Sequence, residues 1–580
     1  MGKISGGVTL IMKKIISMLL LAAVLATSLA GCGSTLKGDE KGAIVNVYIG
    51  NEISDYDPAL AYTDDSAVKV LGLIYEGLTR INDKGKVENA MMKSYKIIEK
   101  PDKNEYKMEI TIKDTKWSDG RAVSADDFVY AWKRILNPDF TCSAAALLFD
   151  IKNARDVKNG DNSIDDLGVA AVDSTVIEVQ FEQKIDYDRF LENLACLALV
   201  PLREDVVTRY EKEFGTFGKK VTTLCTNGPF AIKDLTAGEV LQLDRNVYYY
   251  RDTENDALDK YVLPYRLLVD FTKNEDEQTA DFENGNIFYL GEIGLSKRSS
   301  YASEAKVQDL LSTHCYMFNT TNSTFKDAST RVAMSQALDR NKMAEIVTFA
   351  KPATGLVPST VYDKSVGDSF RANGGDLIST SASSGSGSGR FTLTVRDNAS
   401  DVALAEYAKG VWEGMGYTVT IDALDAASYK AAYEKGNYDV IAVDYQCLST
   451  DSFSALSVFD PDFSGKGIDI ENDNYDAVPY VPGWSNDAYN ELIEKAYAET
   501  DRAARSSYLH DAEKILMEEM PIIPVVFNQD AYVYNSGVLS GIKTTYYGFR
   551  NFDKLKMKDW RSYSETTAAD ASADTTAAAE

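Results

Sequence analysis

The stretch that decides the fold is YDVIAVDY, residues 438–445, in which an apolar run ends in a carboxylate. Val440 to Val443 contains no polar side chain, and such a run is typical of a strand that is buried on both faces of a sheet. Asp444 follows directly, at the place where the buried strand is expected to stop. This charge is the first indication of a binding site.

The residues before this stretch alternate between strand and helix patterns. Phe391–Val395 and Tyr417–Ile421 alternate apolar and polar side chains, as strands do. Val402–Gly414 and Ser428–Glu434 have the pattern of helices, and the apolar strand Tyr438–Val443 completes the series. The order β-α-β-α-β predicts an α/β fold with a parallel sheet and right-handed crossovers.

The end of a parallel strand is a common place for a ligand. Side chains and free backbone groups converge beyond the carboxyl ends of the strands of an open sheet. We therefore interpret Asp444 as the partner of a positively charged ligand group. Two other interpretations stay open, a helix cap and an ion pair with a neighbouring lysine. Asp451 is either a second anchor or a turn residue.

The first half of the chain contains a well-marked helix between two strands. Tyr106–Ile112 and Thr175–Phe181 alternate apolar and polar residues and predict strands with one polar face. Between them, Ser124 and Asp127 form a capping box, and the helix is expected to end before Pro138. Its apolar face, which we expect in the core, consists of Phe128, Trp132, Ile135 and Leu136.

Composition limits the functions that this chain can have. Its 580 residues predict two or three compact units, and a net charge of -27 disfavours nucleic acids and acidic membranes as partners. There are two histidines, His314 and His510, and we interpret each as a structural or surface residue. Neither GxSxG, a P-loop, GxGxxG after a strand nor HExxH occurs. We expect no metal, no cofactor and no enzymatic activity, a profile that favours binding.

The N-terminus has the pattern of an export signal. Two lysines precede an apolar run, and residues 1–31 are predicted to be a signal peptide. LAGC, residues 29–32, resembles the lipobox of bacterial lipoproteins, in which Cys32 would carry the lipid; Met12 is then the start. An ordinary cleaved signal is the alternative. Residues 32–43 are polar and are predicted to be a tether to the outer face of the cytoplasmic membrane.

The other cysteines do not form a recognisable framework. They are odd in number and irregularly spaced, so neither a disulfide scaffold nor a zinc site is indicated. One bridge, Cys315 to Cys447, is one interpretation, and buried free thiols are the other.

Six stretches, taken in order, resemble one known family. They are DYDPAL with LIYEGL near the start, KWSDGRAVSADDFVYAWKRILNP at 116–138, DLGVAAVDSTVIEVQF, NGPFAIKDL, FNTTNSTFKDASTRVAMSQALDR and ETDRAARSSYLHDAEKILMEEMPIIPVVFNQ. From about Ile44 to Met557 the chain resembles the extracytoplasmic solute-binding proteins of oligopeptide ABC transporters.

The resemblance implies a clamshell of the periplasmic-binding-protein type. Two α/β lobes would be joined by a two-segment hinge, and an accessory domain would be inserted in lobe one. The implied boundaries are 44–85, 206–313 and 526–563 for lobe one, 86–205 for the accessory domain, 314–525 for lobe two and 564–580 for a disordered tail.

The resemblance also implies a peptide site. An extended peptide would lie between the lobes, its backbone paired with protein strands and its α-ammonium group bound by the aspartate of an "ADY" segment, which matches Val443–Tyr445. The implied peptide-binding residues are Asp444, Tyr445, Val440, Ile441, Ala442, Tyr62, Thr63 and Asp64. After Tyr445 the chain departs from the family, because QCLSTDSF replaces a proline-containing turn.

The implied function is capture rather than catalysis. The partners would be an oligopeptide ligand, a membrane permease with its ATPase subunits and the membrane through a lipid anchor, and the protein would be a monomer that binds no nucleic acid. One alternative is the same fold with a different solute, such as an oligosaccharide or a metal chelate. A surface hydrolase or a chaperone is the alternative from another class.

Overall fold

Three β-sheets organise the chain, and a computed structural model describes residues 42–236, 240–249, 260–469 and 474–563. The α-helices are α1 (Pro58–Ala61), α2 (Asp65–Ile74), α3 (Ala125–Leu136), α4 (Ala154–Lys158), α5 (Tyr187–Asn193), α6 (Glu204–Phe214), α7 (Glu275–Glu283), α8 (Arg298–Tyr301), α9 (Ala328–Gln336), α10 (Arg340–Val347), α11 (Phe370–Gly374), α12 (Ala399–Met415), α13 (Ala426–Glu434), α14 (Ser452–Ser457), α15 (Asp487–Ala498) and α16 (Arg502–Glu519). The strands are β1 (Ile44–Val47), β2 (Thr79–Ile81), β3 (Val87–Asn89), β4 (Met92–Lys100), β5 (Glu105–Ile112), β6 (Val169–Asp173), β7 (Val176–Phe181), β8 (Phe230–Thr236), β9 (Val240–Arg245), β10 (Arg266–Asp270), β11 (Tyr289–Leu290), β12 (Lys306–Phe318), β13 (Ala350–Pro352), β14 (Gly389–Arg396), β15 (Tyr417–Leu424), β16 (Val440–Gln446), β17 (Ile468–Asp469), β18 (Asn474–Ala477), β19 (Ile522–Tyr534), β20 (Leu539–Ser540), β21 (Lys543–Thr544), β22 (Arg550–Asn551) and β23 (Lys556–Met557).

Two of the sheets have four strands each. One has the order β1-β10-β9-β8, and the other has the order β4-β5-β7-β6, all antiparallel. In β7, and in β5 from Met108 onward, every second side chain is buried, which confirms the predicted alternation. The capping box is confirmed as well, because the Ser124 backbone N–H donates to Asp127 Oδ2 at 2.8 Å and α3 begins at the next residue.

The third sheet has seven strands in the order β11-β19-β12-β16-β14-β15, with β13 paired to β19. Strands β14, β15 and β16 are parallel, as the β-α-β-α-β pattern predicts. The sheet as a whole is mixed, because β12 runs antiparallel to both β16 and β19. Pairing with β12 extends β16 to Gln446, so Asp444 lies within the strand and not at its end.

Strands β12 and β19 are each 13 residues long and cross the predicted lobe boundaries at 313/314 and 525/526. The boundaries themselves stay a prediction. The signal peptide, Cys32, most of the tether and the tail 564–580 lie outside the described residues. Within the described ranges, none of the helices is both long and apolar enough to span a membrane.

The predicted bridge between Cys315 and Cys447 is wrong. Both thiols are free and fully buried. The Cys315 Sγ–H instead donates to the Thr313 carbonyl oxygen at 3.3 Å, and burial raises the pKa of both thiols. The buried-thiol interpretation is therefore the one that the structure supports.

Candidate functional site

A cavity of about 1040 Å³ lies between the β12-β16 part of the large sheet and the α1-α2 segment near the N-terminus. Carboxylates outnumber cations among its lining residues by twelve to six. The carboxylate residues are Glu52, Asp55, Asp64, Asp65, Glu277, Glu292, Asp397, Asp401, Asp425, Glu434, Asp444 and Asp530, and the cations are Lys69, Lys273, Arg298, Arg396, Lys430 and Lys466. The acidic excess favours a ligand that carries positive charge.

Asp444 faces this cavity and already has three partners in the protein. Its Oδ1 is 3.0 Å from His314 Nδ1 and accepts a hydrogen bond from Asn528 Nδ2 at 2.8 Å, while its Oδ2 accepts one from Arg396. His314 stands directly opposite in the β12–β16 register, which explains its contact. Burial would raise the pKa of Asp444, but the Arg396 charge and His314 hold it well below its usual range.

Arg396 shares its charge between two carboxylates. Its Nε donates to Asp401 Oδ2 at 2.8 Å, and its Nη2 donates to both Asp401 and Asp444. We call Asp444, Arg396, Asp401, His314 and Asn528 the Asp444 cluster. It holds two carboxylates and one guanidinium, so with a neutral His314 one negative charge is not balanced inside the cluster. The alternative interpretation expected an ion pair between Asp444 and a lysine of the protein. The structure has such an ion pair, but the partner is Arg396 and not a lysine.

The structure places five of the eight predicted binding residues at the cavity. These are Tyr62, Thr63, Asp64, Asp444 and Tyr445. Asp64 also accepts a hydrogen bond from the Ala67 backbone N–H at 2.7 Å and so caps α2.

The three other predicted residues do not offer the open strand edge that was expected of them. The backbone of Val440 and Ile441 pairs with β12 on one side and with β14 on the other. The Ala442 carbonyl accepts a hydrogen bond from the Tyr429 hydroxyl at 2.5 Å. These three residues are therefore not available for pairing with a peptide, and this part of the prediction is corrected.

An open edge does exist further along β16. Pairing with β14 ends at Ile441, and the Cys447 backbone N–H donates to the Leu311 carbonyl at 2.7 Å on the β12 side. Backbone groups of an antiparallel strand point alternately to one side and the other. The N–H and C=O groups of Asp444 and Gln446 therefore point away from β12, toward the side where β14 has stopped pairing.

Asp451 is a turn residue and not an anchor. Its side chain accepts from the Phe453 backbone N–H at 3.0 Å, which caps α14, and it pairs with Arg505 at 3.2 Å. It is 1% exposed and does not line the cavity.

Sequence reasoning missed several residues of the site. The sequence suggests a structural or surface role for His314, yet this residue is buried, lines the cavity and has no protein partner for Nε2 among the described residues. No sequence pattern identifies Arg396 or Asn528 as a residue of the site. The position of Arg396 at the carboxyl end of β14 is the feature that points to it, because the same edge of the parallel strands is the reason to consider Asp444. His510 is structural as expected, stacked on Phe370 and 3.2 Å from Asp363.

Comparisons with known proteins agree on one family. The sequence profile of the bacterial extracellular solute-binding proteins, family 5, matches residues 86–467. The oligopeptide-binding protein OppA of Bacillus subtilis is 26% identical over 546 residues, which cover 90% of this chain and 95% of OppA. The dipeptide-binding protein DppE of the same organism is 27% identical, with 89% and 94% covered.

The crystal structure of the substrate-binding domain of an oligopeptide ABC transporter from Bacillus anthracis superposes with a TM-score of 0.73. It is 22% identical, and the match covers 90% of this chain and 100% of that chain. The likeness confirms the predicted two-lobed α/β fold.

Proposed function

The chain belongs to the bacterial extracellular solute-binding proteins, family 5, and on that premise we propose that it captures oligopeptides between its lobes and delivers them to an ABC permease. The named relatives support this proposal, because OppA and DppE are described as oligopeptide- and dipeptide-binding proteins. The observation that carries it is the combination of an unbalanced carboxylate with an open strand edge at the same cavity wall.

The Asp444 cluster suits the α-ammonium group of a peptide. With His314 neutral, the cluster keeps one uncompensated negative charge, and the carboxylate of Asp444 is 22% exposed, so that a ligand cation can reach it. A charge-assisted hydrogen bond contributes about 1.5 to 3 kcal/mol. Asp444 is the proposed anchor, with Arg396 and His314 holding its carboxylate in place.

The open edge of β16 suits the peptide backbone. The groups of Asp444 and Gln446 that point away from β12 can pair with an extended chain, while Tyr62, Thr63 and Asp64 face it from the other wall. Pairing through the backbone tolerates many side chains. Broad sequence specificity follows from this mode of binding.

The remaining parts of the proposal concern location and assembly. Members of the family are extracytoplasmic, and we propose that this chain is held to the membrane by a lipid on Cys32. We also propose that it acts as a monomer and does not turn over its ligand. The lobe and accessory-domain boundaries given above belong to the same proposal.

Mass spectrometry of the ligand that co-purifies from the native host tests the function. We expect a mixture of peptides with free N-termini. An oligosaccharide or a metal chelate in their place, or progressive cleavage of a labelled tetrapeptide by the pure protein, would overturn the proposal.

A further inference from the structure

Lys466 differs from the other cations of the cavity because it has no carboxylate partner in the part of the chain that the structure describes. Among the described residues, each of the other five lies within 4.0 Å of a protein carboxylate. Lys466 Nζ donates instead to the carbonyl oxygen of Tyr480 at 3.1 Å. An ammonium group has three donors, so two remain for a ligand.

Two aromatic rings surround this amine. Nζ is 5.5 Å from the centre of the Tyr433 ring and 5.3 Å from that of Tyr480, distances at which a cation is attracted to the ring face. Burial lowers the pKa of Lys466 to about 8, with the Glu434 charge acting in the opposite direction. A charged amine in these surroundings is stabilised by an anion that enters the cavity.

The backbone holds Lys466 in this position by a tight loop. Its neighbours Gly465 and Gly467 have φ values of 68° and 77°, which residues other than glycine rarely adopt. A Cβ atom at Gly465 would lie 2.6 Å from the Ser143 carbonyl oxygen, and one at Gly467 would lie 2.2 Å from that of Pro138. The loop is thus pressed against the backbone of the accessory region, and the one long side chain between the glycines projects at the cavity.

We propose that Lys466 binds a carboxylate of the ligand, which is either the C-terminal carboxylate of a peptide or an aspartate or glutamate side chain. This inference rests on the proposed function. It gives the cavity two separate points of recognition, a carboxylate cluster for a cation and a single amine for an anion. A peptide is a molecule that presents both charges.

The test uses paired synthetic peptides and the mature protein. Di- to hexapeptides are prepared as free acids and as C-terminal amides, and sequences that contain Asp are also prepared with Asn. Binding is detected by native mass spectrometry and measured by calorimetry for the tightest binders. We expect the wild type to lose about ten- to a hundredfold in affinity in one of the two comparisons, and the comparison that shows the loss identifies the source of the carboxylate.

The Lys466→Met variant should abolish that difference, while Lys466→Arg should keep most of it. Lys430→Met is the matched control, because Lys430 also lines the cavity but is 3.6 Å from Asp55. We expect this control to discriminate between the paired peptides as the wild type does. A role of Lys466 in folding alone would lower the melting temperature of the unliganded variant, whereas we expect no decrease, since an unpaired buried charge is removed.

A measurement on the wild type needs no substitution. Because the Lys466 pKa is about 8, binding of a carboxylate should be accompanied by proton uptake at pH 8 to 9, seen as a dependence of the calorimetric heat on the buffer. The titratable groups that face Lys466 are Glu434 and the phenols of Tyr433 and Tyr480. Burial raises the pKa of both phenols. Uptake should be smaller in Lys466→Met.

The results separate this inference from the function on which it rests. If the wild type binds peptides and Lys466→Met keeps the same preference for free acid over amide and for Asp over Asn, the inference is wrong and the function stands. If the wild type binds none of the peptides, the proposed function fails and the inference fails with it.

Discussion

The Asp444 cluster at the cavity can be compared with a second group of buried charges, formed by Asp186, Glu192, Asp451, Arg502 and Arg505. In this Asp186 cluster, Arg502 contacts Asp186 at 2.6 Å and Glu192 at 3.2 Å, and Arg505 contacts Asp186 at 3.3 Å and Asp451 at 3.2 Å. Both clusters contain one more carboxylate than guanidinium groups. Only the first of the two faces the cavity.

The two clusters respond differently to their surplus charge. Burial raises the pKa of Glu192 to about 7, although Arg502 acts against it, so the Asp186 cluster can lose its surplus by taking up a proton. Arg396 and His314 keep the pKa of Asp444 well below its usual range, so that carboxylate stays charged. The surplus negative charge of the Asp444 cluster is therefore available to a ligand cation, because protonation does not remove it near neutral pH.

The positions of the clusters also differ. The Asp186 cluster joins residues of the predicted accessory domain to helix α16 and the turn before α14. A further ion pair, Arg155 to Glu494 at 2.7 Å, and a hydrogen bond from the Tyr497 hydroxyl to the Phe149 carbonyl at 2.8 Å cross the same interface. We infer that the Asp186 cluster stabilises the fold and that the Asp444 cluster binds the ligand. Three predictions test this distinction.

The largest effect is expected from Arg502→Met. This change leaves Asp186 and Glu192 without their main partner in a buried place, and such a loss costs about 3 to 5 kcal/mol in the free energy of unfolding. Chemical denaturation measures it. The control is Arg155→Met, which breaks a more exposed pair and should cost less than about 1 kcal/mol. Equal costs for both variants would show that the Asp186 cluster is not a structural unit.

The next effect concerns ligand affinity. Asp444→Asn removes the charge proposed to meet the α-ammonium group, so we expect a free-amine peptide to bind about ten- to a hundredfold more weakly. The N-acetylated form of the same peptide should lose much less, as calorimetry would show. Asp425→Asn is the matched control, because asparagine can replace this helix cap at the cavity wall. An equal loss for the two peptides would remove the anchor role.

The third effect is the pH dependence that Glu192 contributes. A carboxyl group whose pKa is raised by folding holds its proton more tightly in the folded state, so its contribution to stability is lost as pH rises from about 4.5 to about 7. We expect the free energy of unfolding to be about 2 to 3 kcal/mol lower at pH 8 than at pH 5 through this group.

The difference between the wild type and Glu192→Gln isolates this contribution, because burial also raises the pKa of Glu275 and Asp460 to about 7. Glu494→Gln, at the more exposed ion pair, is the control for the loss of a carboxylate from the same interface. Identical slopes for the wild type and Glu192→Gln would show that the Asp186 cluster does not release its surplus charge by protonation.

Local patterns predicted much of the fold. The strands β5, β7, β14 and β15 and the helix α3 were found from periodicity and caps, which act over a few residues. The mixed character of the large sheet was not found, since β12 lies far from β16 in the chain and its pairing depends on tertiary contacts. Knowledge of that pairing would have placed Asp444 inside a strand and closed the edge at Val440 and Ile441.

The candidate site was predictable only in outline. Asp444 was found from its place after an apolar run, but its partners His314, Arg396 and Asn528 lie 130, 48 and 84 residues away. A charge and its compensating partners are brought together by the fold, and no short pattern records them. For Lys466, in contrast, a short pattern does exist, because its flanking glycines are visible in the sequence as SGKG. The role of these glycines can be recognised only from the close backbone contacts that they permit in the folded chain.

The pairing of β12 with β19 changes register between Asp309 and Thr313 and again between His314 and Cys315. Such irregularities bend and twist a strand. Leu310, Ser312 and His314, on this same segment, line the cavity. Because β12 and β19 cross the predicted lobe boundaries, we expect separation of the lobes to deform a hydrogen-bonded ribbon rather than to rotate a free linker. On this prediction, substitutions that alter recognition at these three residues should also alter how far and how often the protein opens.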